Sequence, residues 1–270
     1  LKRLLGPKIE VSYLSVIGHD PFSEKIFKFI QNEHIGTKLI RRISSANSGI
    51  YTINNTACGE RNFSYWRENS AARDLFNSSK DFACLDDFDY VYFSGITLAI
   101  LSLDQKKKFF CWLENRNKEV KVIFDTNFRE KLWISRSHAH RWIEKALKTS
   151  DVALPSRDDL VALNNLKNFP SFLRRTLNKT APIFILKNGS NSSPEYFSNG
   201  KFICKLDHFT ANVNAVDTTA AGDSFNAGFF AGLVLGYSPI KCLEQGHHLA
   251  QTVINFQGAI CPKNEIDQLI

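Results

Sequence analysis

Val216-Asp217-Thr218-Thr219-Ala220-Ala221-Gly222-Asp223-Ser224-Phe225-Asn226-Ala227-Gly228 reads as an anion-binding turn that feeds directly into a helix. Small residues at 220 to 222 let backbone N–H groups approach a ligand closely. The small, apolar helix that follows, through about Gly236, aims its positive end at the same place. Asp223 stands in that helix's first turn, where a carboxylate can take a proton from a hydroxyl while neighbouring N–H groups hold a phosphoryl group in transfer. An isolated Asp before an apolar run is better read as a helix cap, and Asp217 or Asp223 alone would carry only that meaning. Turn, small residues and acid together point to phosphate chemistry.

Upstream of this stretch, short β-rich runs alternate with longer amphipathic ones. Residues 11–17 predict a strand and 21–33 a helix; further strands are predicted at Tyr90–Ser94, 120–124, 152–154 and 182–187, with helices near 102–117, 136–149 and 158–178. The alternation predicts βαβ units and an α/β fold, a doubly wound and mostly parallel sheet flanked by helices. After Phe225 the chain is predicted to be helical almost to its end, with Pro239 opening a second helix through Val253. No repeat, low-complexity tract or linker interrupts residues 1–270, which read as one domain.

One segment breaks the rhythm. Ser48 to Asn54, a turn around Ala57-Cys58-Gly59, and Glu60 to Arg67 predict a β-hairpin over about 48–67, placed as a small lid. The two-residue strand period puts Phe63, Tyr65 and Arg67 on one face, so that rings and a guanidinium project together. A ribbon packing its aromatics on the core is the plainer alternative, and Arg67 beside Tyr65 argues against it.

Composition narrows the chemistry. With 270 residues and 43% hydrophobic content, the chain can bury a sizeable core. A net charge of +7 suits anionic ligands, but the basic residues are scattered and no nucleic-acid motif appears. The six cysteines lie far apart without ligand spacing, which argues against a zinc site or disulfide scaffold and for reduced thiols in a cytoplasmic protein. The longest apolar stretch, 229–235, is far too short to span a bilayer. His247-His248 read as ordinary helix residues. The sequence holds no methionine and opens on Leu1-Lys2-Arg3-Leu4-Leu5-Gly6, which reads as the tail of a helix; a missing N-terminal segment and missing methionines are expected.

Asp125-Thr126-Asn127-Phe128-Arg129 follows the predicted strand 120–124, outside the carboxyl end of a parallel strand, where open α/β sheets bind ligands. The 216–228 stretch resembles the second signature of the ribokinase-like (PfkB) carbohydrate kinases. Asp125 to Trp133 is similar to the D-x-N-x-R-x-x-L-W segment of one subgroup, the 2-keto-3-deoxygluconate kinases. Gly59 to Arg67 with Ser70-Ala71-Ala72-Arg73, Ser94-Gly95-Ile96-Thr97-Leu98-Ala99 and Ala153-Leu154-Pro155-Ser156 resemble the same subgroup, so the likeness spans residues 11 to 263.

This resemblance implies a kinase that uses ATP and Mg2+ to phosphorylate the 6-hydroxyl of 2-keto-3-deoxy-D-gluconate, with Asp223 as base and Ala220, Ala221 and Gly222 as the anion-holding turn. It implies Tyr51, Tyr65, Arg67, Arg129 and Asp223 around the sugar acid. It puts ATP on Ser156, Lys187, Gly189, Ala220 and Gly222, and gives Asp159 an indirect part in organising the magnesium ion. A homo-oligomer follows from the same likeness, because lids of this family often form dimer contacts. The chain departs from the family in two places. Gly189-Ser190-Asn191-Ser192 replaces G-x-x-G, and Ser156-Arg157-Asp158-Asp159 stands for N-x-x-E, which a helix-capping box would explain equally well. The family's glycine-rich first motif would precede Leu1.

Two arginines supply the planar, permanently charged donors that a carboxylate next to a keto group needs, and a neutral sugar would leave both cations poorly placed. Tyr51 and Tyr65 add flat walls with hydroxyls. The alternatives are a kinase of the same fold acting on ribose, fructose or a nucleoside, and a non-catalytic sugar-acid binding protein.

Overall fold

The computed structural model describes residues 1–55, 61–77, 79–212 and 214–266. Ten strands are present among them: β1 (Ser15–Ile17), β2 (Ile40–Arg42), β3 (Ile50–Asn55), β4 (Arg61–Trp66), β5 (Tyr90–Ser94), β6 (Lys121–Asp125), β7 (Val152–Ala153), β8 (Ile183–Leu186), β9 (Glu195–Ser198) and β10 (Lys201–Lys205). The helices are α1 (Lys2–Leu5), α2 (Pro21–Asn32), α3 (Gly95–Ile100), α4 (Leu103–Asn115), α5 (Arg136–Thr149), α6 (Arg157–Asn164), α7 (Phe169–Leu177), α8 (Ala221–Val234) and α9 (Pro239–Val253).

The main sheet has six strands in the order β10-β9-β8-β7-β6-β5. β5 to β8 run parallel, whereas β9 and β10 are antiparallel, giving a mixed sheet. Alternation along the strands sends side chains to two separate cores. Val122, Phe124, Ala153, Phe184 and Leu186 meet Phe110 of α4, Ile143 of α5 and Leu160 of α6 on one face. Ile123, Val152, Leu154 and Ile185 meet Phe229 of α8 and Leu243 of α9 on the other. Helices therefore cover both faces, as the sequence pattern predicts. α8 and α9 lie backbone to backbone: a Cβ at Gly228 would sit 2.4 Å from the Gln245 carbonyl oxygen, so any larger residue there would push the pair apart.

Several boundaries differ from expectation. Of residues 11–17 only β1 is strand, paired in parallel with β2 across α2. The single helix predicted over 158–178 is two helices: Asn165 turns left-handed at φ 48° to end α6, and the Asn168 side chain accepts from Ser171 N to start α7, with Pro170 in its first turn. α9 keeps its expected bounds, Pro239–Val253, but residues 254–262 beyond it are not helical. β2, α3 and the β9–β10 hairpin carry no prediction. β3 and β4 form the expected antiparallel ribbon, Ile50 opposite Trp66 and Tyr51 opposite Tyr65, while the expected turn at Ala57-Cys58-Gly59 lies outside the described residues.

Candidate active site

β5, the carboxyl end of β6, Lys187 just after β8 and the first turns of α8 converge through a shared set of hydrogen bonds. Ala220, which caps α8, takes φ 61° and ψ 15°. For a residue with a Cβ this left-handed conformation costs about 1 kcal/mol, a local strain of the kind that collects at functional turns. Asp217 stabilises the turn from behind: its Oδ1 accepts from Thr219 N at 2.8 Å and its Oδ2 from Gly258 N at 3.0 Å. Ser224 N donates to the Ala220 carbonyl, so the N–H groups of Gly222 and Asp223 lie in the first turn, where a helix supplies no acceptor of its own. Asp223 is reachable from solvent. Partial loss of water raises its pKa above the ordinary carboxylate value, Asp125 raises it further, and Lys187 and Arg129 oppose the shift.

Beneath Asp223 lies a buried polar network. Lys187 Nζ donates to Asp125 Oδ1 at 3.0 Å and to Asn226 Oδ1 at 2.9 Å. Asn226 Nδ2 donates to Asp125 Oδ2 at 2.9 Å and to the Tyr92 hydroxyl at 3.2 Å. Burial, then the charges of Asp125 and Asp223, hold the Tyr92 phenol neutral well above its usual range. Asp125 and Asn226 are buried, and a buried charge of this kind persists only when paired.

The D-x-N turn is tied to α6. Thr126 Oγ1 donates to Asp159 Oδ2 at 2.7 Å, Phe128 N donates to the same oxygen at 3.2 Å, and Ser156 N donates to Thr126 Oγ1 at 3.3 Å. Ser156 caps α6 by accepting from Asp159 N at 3.0 Å. The Asp159 carboxylate goes to the 126–128 turn instead of back to Ser156, so only half of a capping box is formed. Burial raises the Asp159 pKa, and its two donors oppose that. Gly189 follows β8 at φ 61°, a left-handed position that suits glycine. Arg129 is exposed beyond the end of β6, with Asp223 in its field.

The ribbon carries the other predicted group. The rings of Tyr51 and Tyr65 lie 6.2 Å apart, and the Arg67 guanidinium sits 4.0 Å over the Tyr65 ring. Arg67 Nε is buried and has no hydrogen-bond partner among the described residues. Nothing is described of the Phe63 side chain, which was expected on the same face. The structure thus gathers Tyr51, Tyr65 and Arg67 into one cluster and Asp223, Arg129 and Lys187 into another.

Sequence reasoning quoted Asp125, Thr126 and Asn226 within motifs without giving them roles, and left Tyr92 unnamed inside a strand. Asn226 was legible in principle, since it stands three residues after Asp223 and therefore on the same helix face. Among the described residues no group of three or more His, Cys, Asp or Glu could hold a metal ion by itself, none of the cysteines is disulfide-bonded, and no helix is long and apolar enough to cross a membrane.

Comparison with known proteins follows the same lines. The sequence profile described as "pfkB family carbohydrate kinase" matches residues 1–266. The 2-dehydro-3-deoxygluconokinase of Escherichia coli (strain K12) is 34% identical over 259 residues, covering 94% of this chain and 84% of the relative. That of Haemophilus influenzae is 36% identical over 276 residues, covering 100% and 87%. Among solved structures, the fructokinase of Xylella fastidiosa with bound ATP superposes with a TM-score of 0.80 at 20% identity, covering 99% of this chain and 86% of that one.

Proposed function

The chain belongs to the pfkB family of carbohydrate kinases, and we propose that within it the protein phosphorylates the 6-hydroxyl of 2-keto-3-deoxy-D-gluconate with ATP. The observation that carries the choice of substrate is Arg67: a guanidinium stacked on Tyr65 with a buried, unpartnered Nε asks for an anionic acceptor that a neutral sugar lacks. The identity to two curated 2-dehydro-3-deoxygluconokinases, the same substrate under another name, supports it.

In this reading Arg67 and Arg129 hold the substrate carboxylate, and Tyr51 and Tyr65 flank the carbon chain. Asp223 takes the proton of the 6-hydroxyl as the oxygen–phosphorus bond forms and the bond to the leaving ADP breaks. The N–H groups of the 220–223 turn hold the charge that develops on the transferred group, with Lys187 beside them, so positioning and electrostatics carry the rate. Ser156 and Gly189 border the nucleotide. ATP is the donor, as in the ATP-bound fructokinase of the same fold.

A magnesium ion fits the chemistry of the donor set. The charge of Asp125 raises the pKa of both Asp159 and Asp223 while Lys187 opposes it at both, so three carboxylates stand around this lysine, a negative charge that a divalent cation entering with the phosphates would balance. Asp159, its Oδ2 already occupied by two protein donors, would meet the ion's water shell; the ion would supply charge neutralisation on the phosphates.

We further infer that the described chain works as one domain with the 48–67 ribbon as its lid, in a cytoplasmic homo-oligomer. The test is ADP release with 2-keto-3-deoxygluconate, its galactonate-derived isomer, ribose, fructose and a nucleoside as acceptors. The sugar acids should lead by at least tenfold in kcat/KM. Faster turnover of a neutral acceptor, or ADP release that no acceptor stimulates, would overturn the proposal.

A further inference from the structure

We propose that Asn226 is a positioning residue for phosphoryl transfer: its side-chain amide ties α8 to β5, to β6 and to Lys187 just after β8 and holds the Lys187 ammonium beside Asp125, fixing Asp223 and the 220–223 turn above this network. This rests on the transfer reaction described above.

The amide is fully used. Its Oδ1 accepts from Lys187 Nζ at 2.9 Å, and its Nδ2 donates to Asp125 Oδ2 at 2.9 Å and to the Tyr92 hydroxyl at 3.2 Å. Its orientation follows from partner chemistry, because an ammonium can only donate and a carboxylate can only accept. Asn226 is 4% exposed, one turn beyond Asp223 on α8. A single side chain therefore connects the helix that carries the base to groups on β5, on β6 and just after β8. The groups facing Asp223 come from the same set: Asp125 from β6, Lys187 at the end of β8, Tyr92 from β5 and Arg129 after β6. No other side chain on α8 is described with hydrogen bonds to more than one of these groups.

The contact calls for one amide and one carboxylate across it. An aspartate at 226 would set a second carboxylate against Asp125, with Lys187 as the only cation bonded to both. Exchanging the two groups, Asp125→Asn with Asn226→Asp, restores one carboxylate and one amide across the contact. It keeps two acceptors for Lys187, and the Tyr92 hydroxyl can turn to donate to the new carboxylate. The exchange separates positioning from mere packing, because both variants are isosteric with the natural protein.

The experiment measures kcat and KM for the wild type, Asn226→Asp, Asp125→Asn and the exchanged pair, alongside thermal melting. Rates are taken on whichever acceptor the wild type phosphorylates fastest, so failure of the proposed substrate would not obscure the comparison. Asn226→Asp should lower kcat by roughly 10- to 100-fold, the scale of a small misplacement of reacting groups, with the acceptor KM changed less than about threefold. The exchanged pair should regain kcat to within about fivefold of wild type. A kcat within about twofold of wild type in Asn226→Asp, or an exchanged pair no faster than Asn226→Asp, would overturn the proposal. Should Asn226→Asp lose its cooperative melt, the exchanged pair is compared with Asp125→Asn, and a pair no faster than that single variant would overturn it equally.

Discussion

Beneath α8, the Asp125 and Lys187 side chains are 4% and 11% exposed and bonded to each other at 3.0 Å; on the β3–β4 ribbon, Tyr51 is 52% exposed and Arg67 rests on a ring. The first group sits where a six-stranded sheet meets a helix, so its geometry is held by the core. The second sits on two strands bonded only to each other, in a sheet of their own. An isolated two-stranded ribbon is marginal in water, and its order has to come from what it grips. The contrast teaches that the fixed end suits chemistry common to many acceptors, and the ribbon end suits a choice among them.

The sharpest way to break this contrast is at the fixed end. Asp223→Asn should lower kcat by about two to four orders of magnitude while leaving sugar-acid binding nearly unchanged, as measured by steady-state kinetics and calorimetry. Near-normal turnover would remove Asp223 from the chemistry. Next in size is the recognition end. Arg129→Lys keeps the charge and loses the planar fork, and should weaken sugar-acid binding by about 1.5–3 kcal/mol, with ATP affinity unmoved. Comparing the acid with an analogue bearing a hydroxymethyl in place of the carboxylate checks this, because equal losses on both would assign Arg129 to the phosphate or the fold.

A smaller effect concerns pH. The Asp223 pKa is raised by burial and then by Asp125, and its base form is lost as pH falls through that raised value, so the acid limb of kcat/KM should lie above the ordinary carboxylate range. Asp125→Asn removes the like charge and should move the limb to lower pH; an upward shift would contradict the arrangement.

The smallest effect is at the foot of the ribbon. Asp20 caps α2 through Phe22 N and Ser23 N, both at 3.0 Å, and its other oxygen accepts from Ser48 N at 3.0 Å, just before β3. These bonds, the Ser23 hydroxyl first, hold its pKa at about 2. A lowered pKa stabilises the fold fully above the unfolded value, and that stabilisation fades as pH falls from near 4 toward 2. Asp20→Ala should cost about 1 kcal/mol at pH 7 in urea unfolding, and its deficit relative to wild type should shrink below pH 4.

The sequence was most legible where local signals agree. Pro239 at a first helical turn gave α9 its start, and the apolar run before Asp125 placed the ligand turn at a strand end to within a residue. What escaped depends on distance in space. Nothing local to Asn226 announces partners 134, 101 and 39 residues away. The β9–β10 hairpin is a different case: Asn199 and Gly200, at φ 48° and 77°, are the dipeptide that tight hairpins favour, and the signal was present but unread. The split at Asn165 escaped because leucines at helical spacing continue on both sides of it.

Gly95 opens α3 with its α-carbon so near the next loop that a Cβ would fall 2.0 Å from the Thr126 carbonyl oxygen. The start of α3 and the loop after β6 are therefore seated against each other with no room for an atom between them. In a saturation scan scored by growth, position 95 would behave like a catalytic position, intolerant of every side chain, although glycine there offers no group to a substrate. The same scan would show Asp223 and Gly95 as equals; only the melting temperatures of the purified variants would tell them apart, with Gly95→Ala losing its fold and Asp223→Asn keeping it.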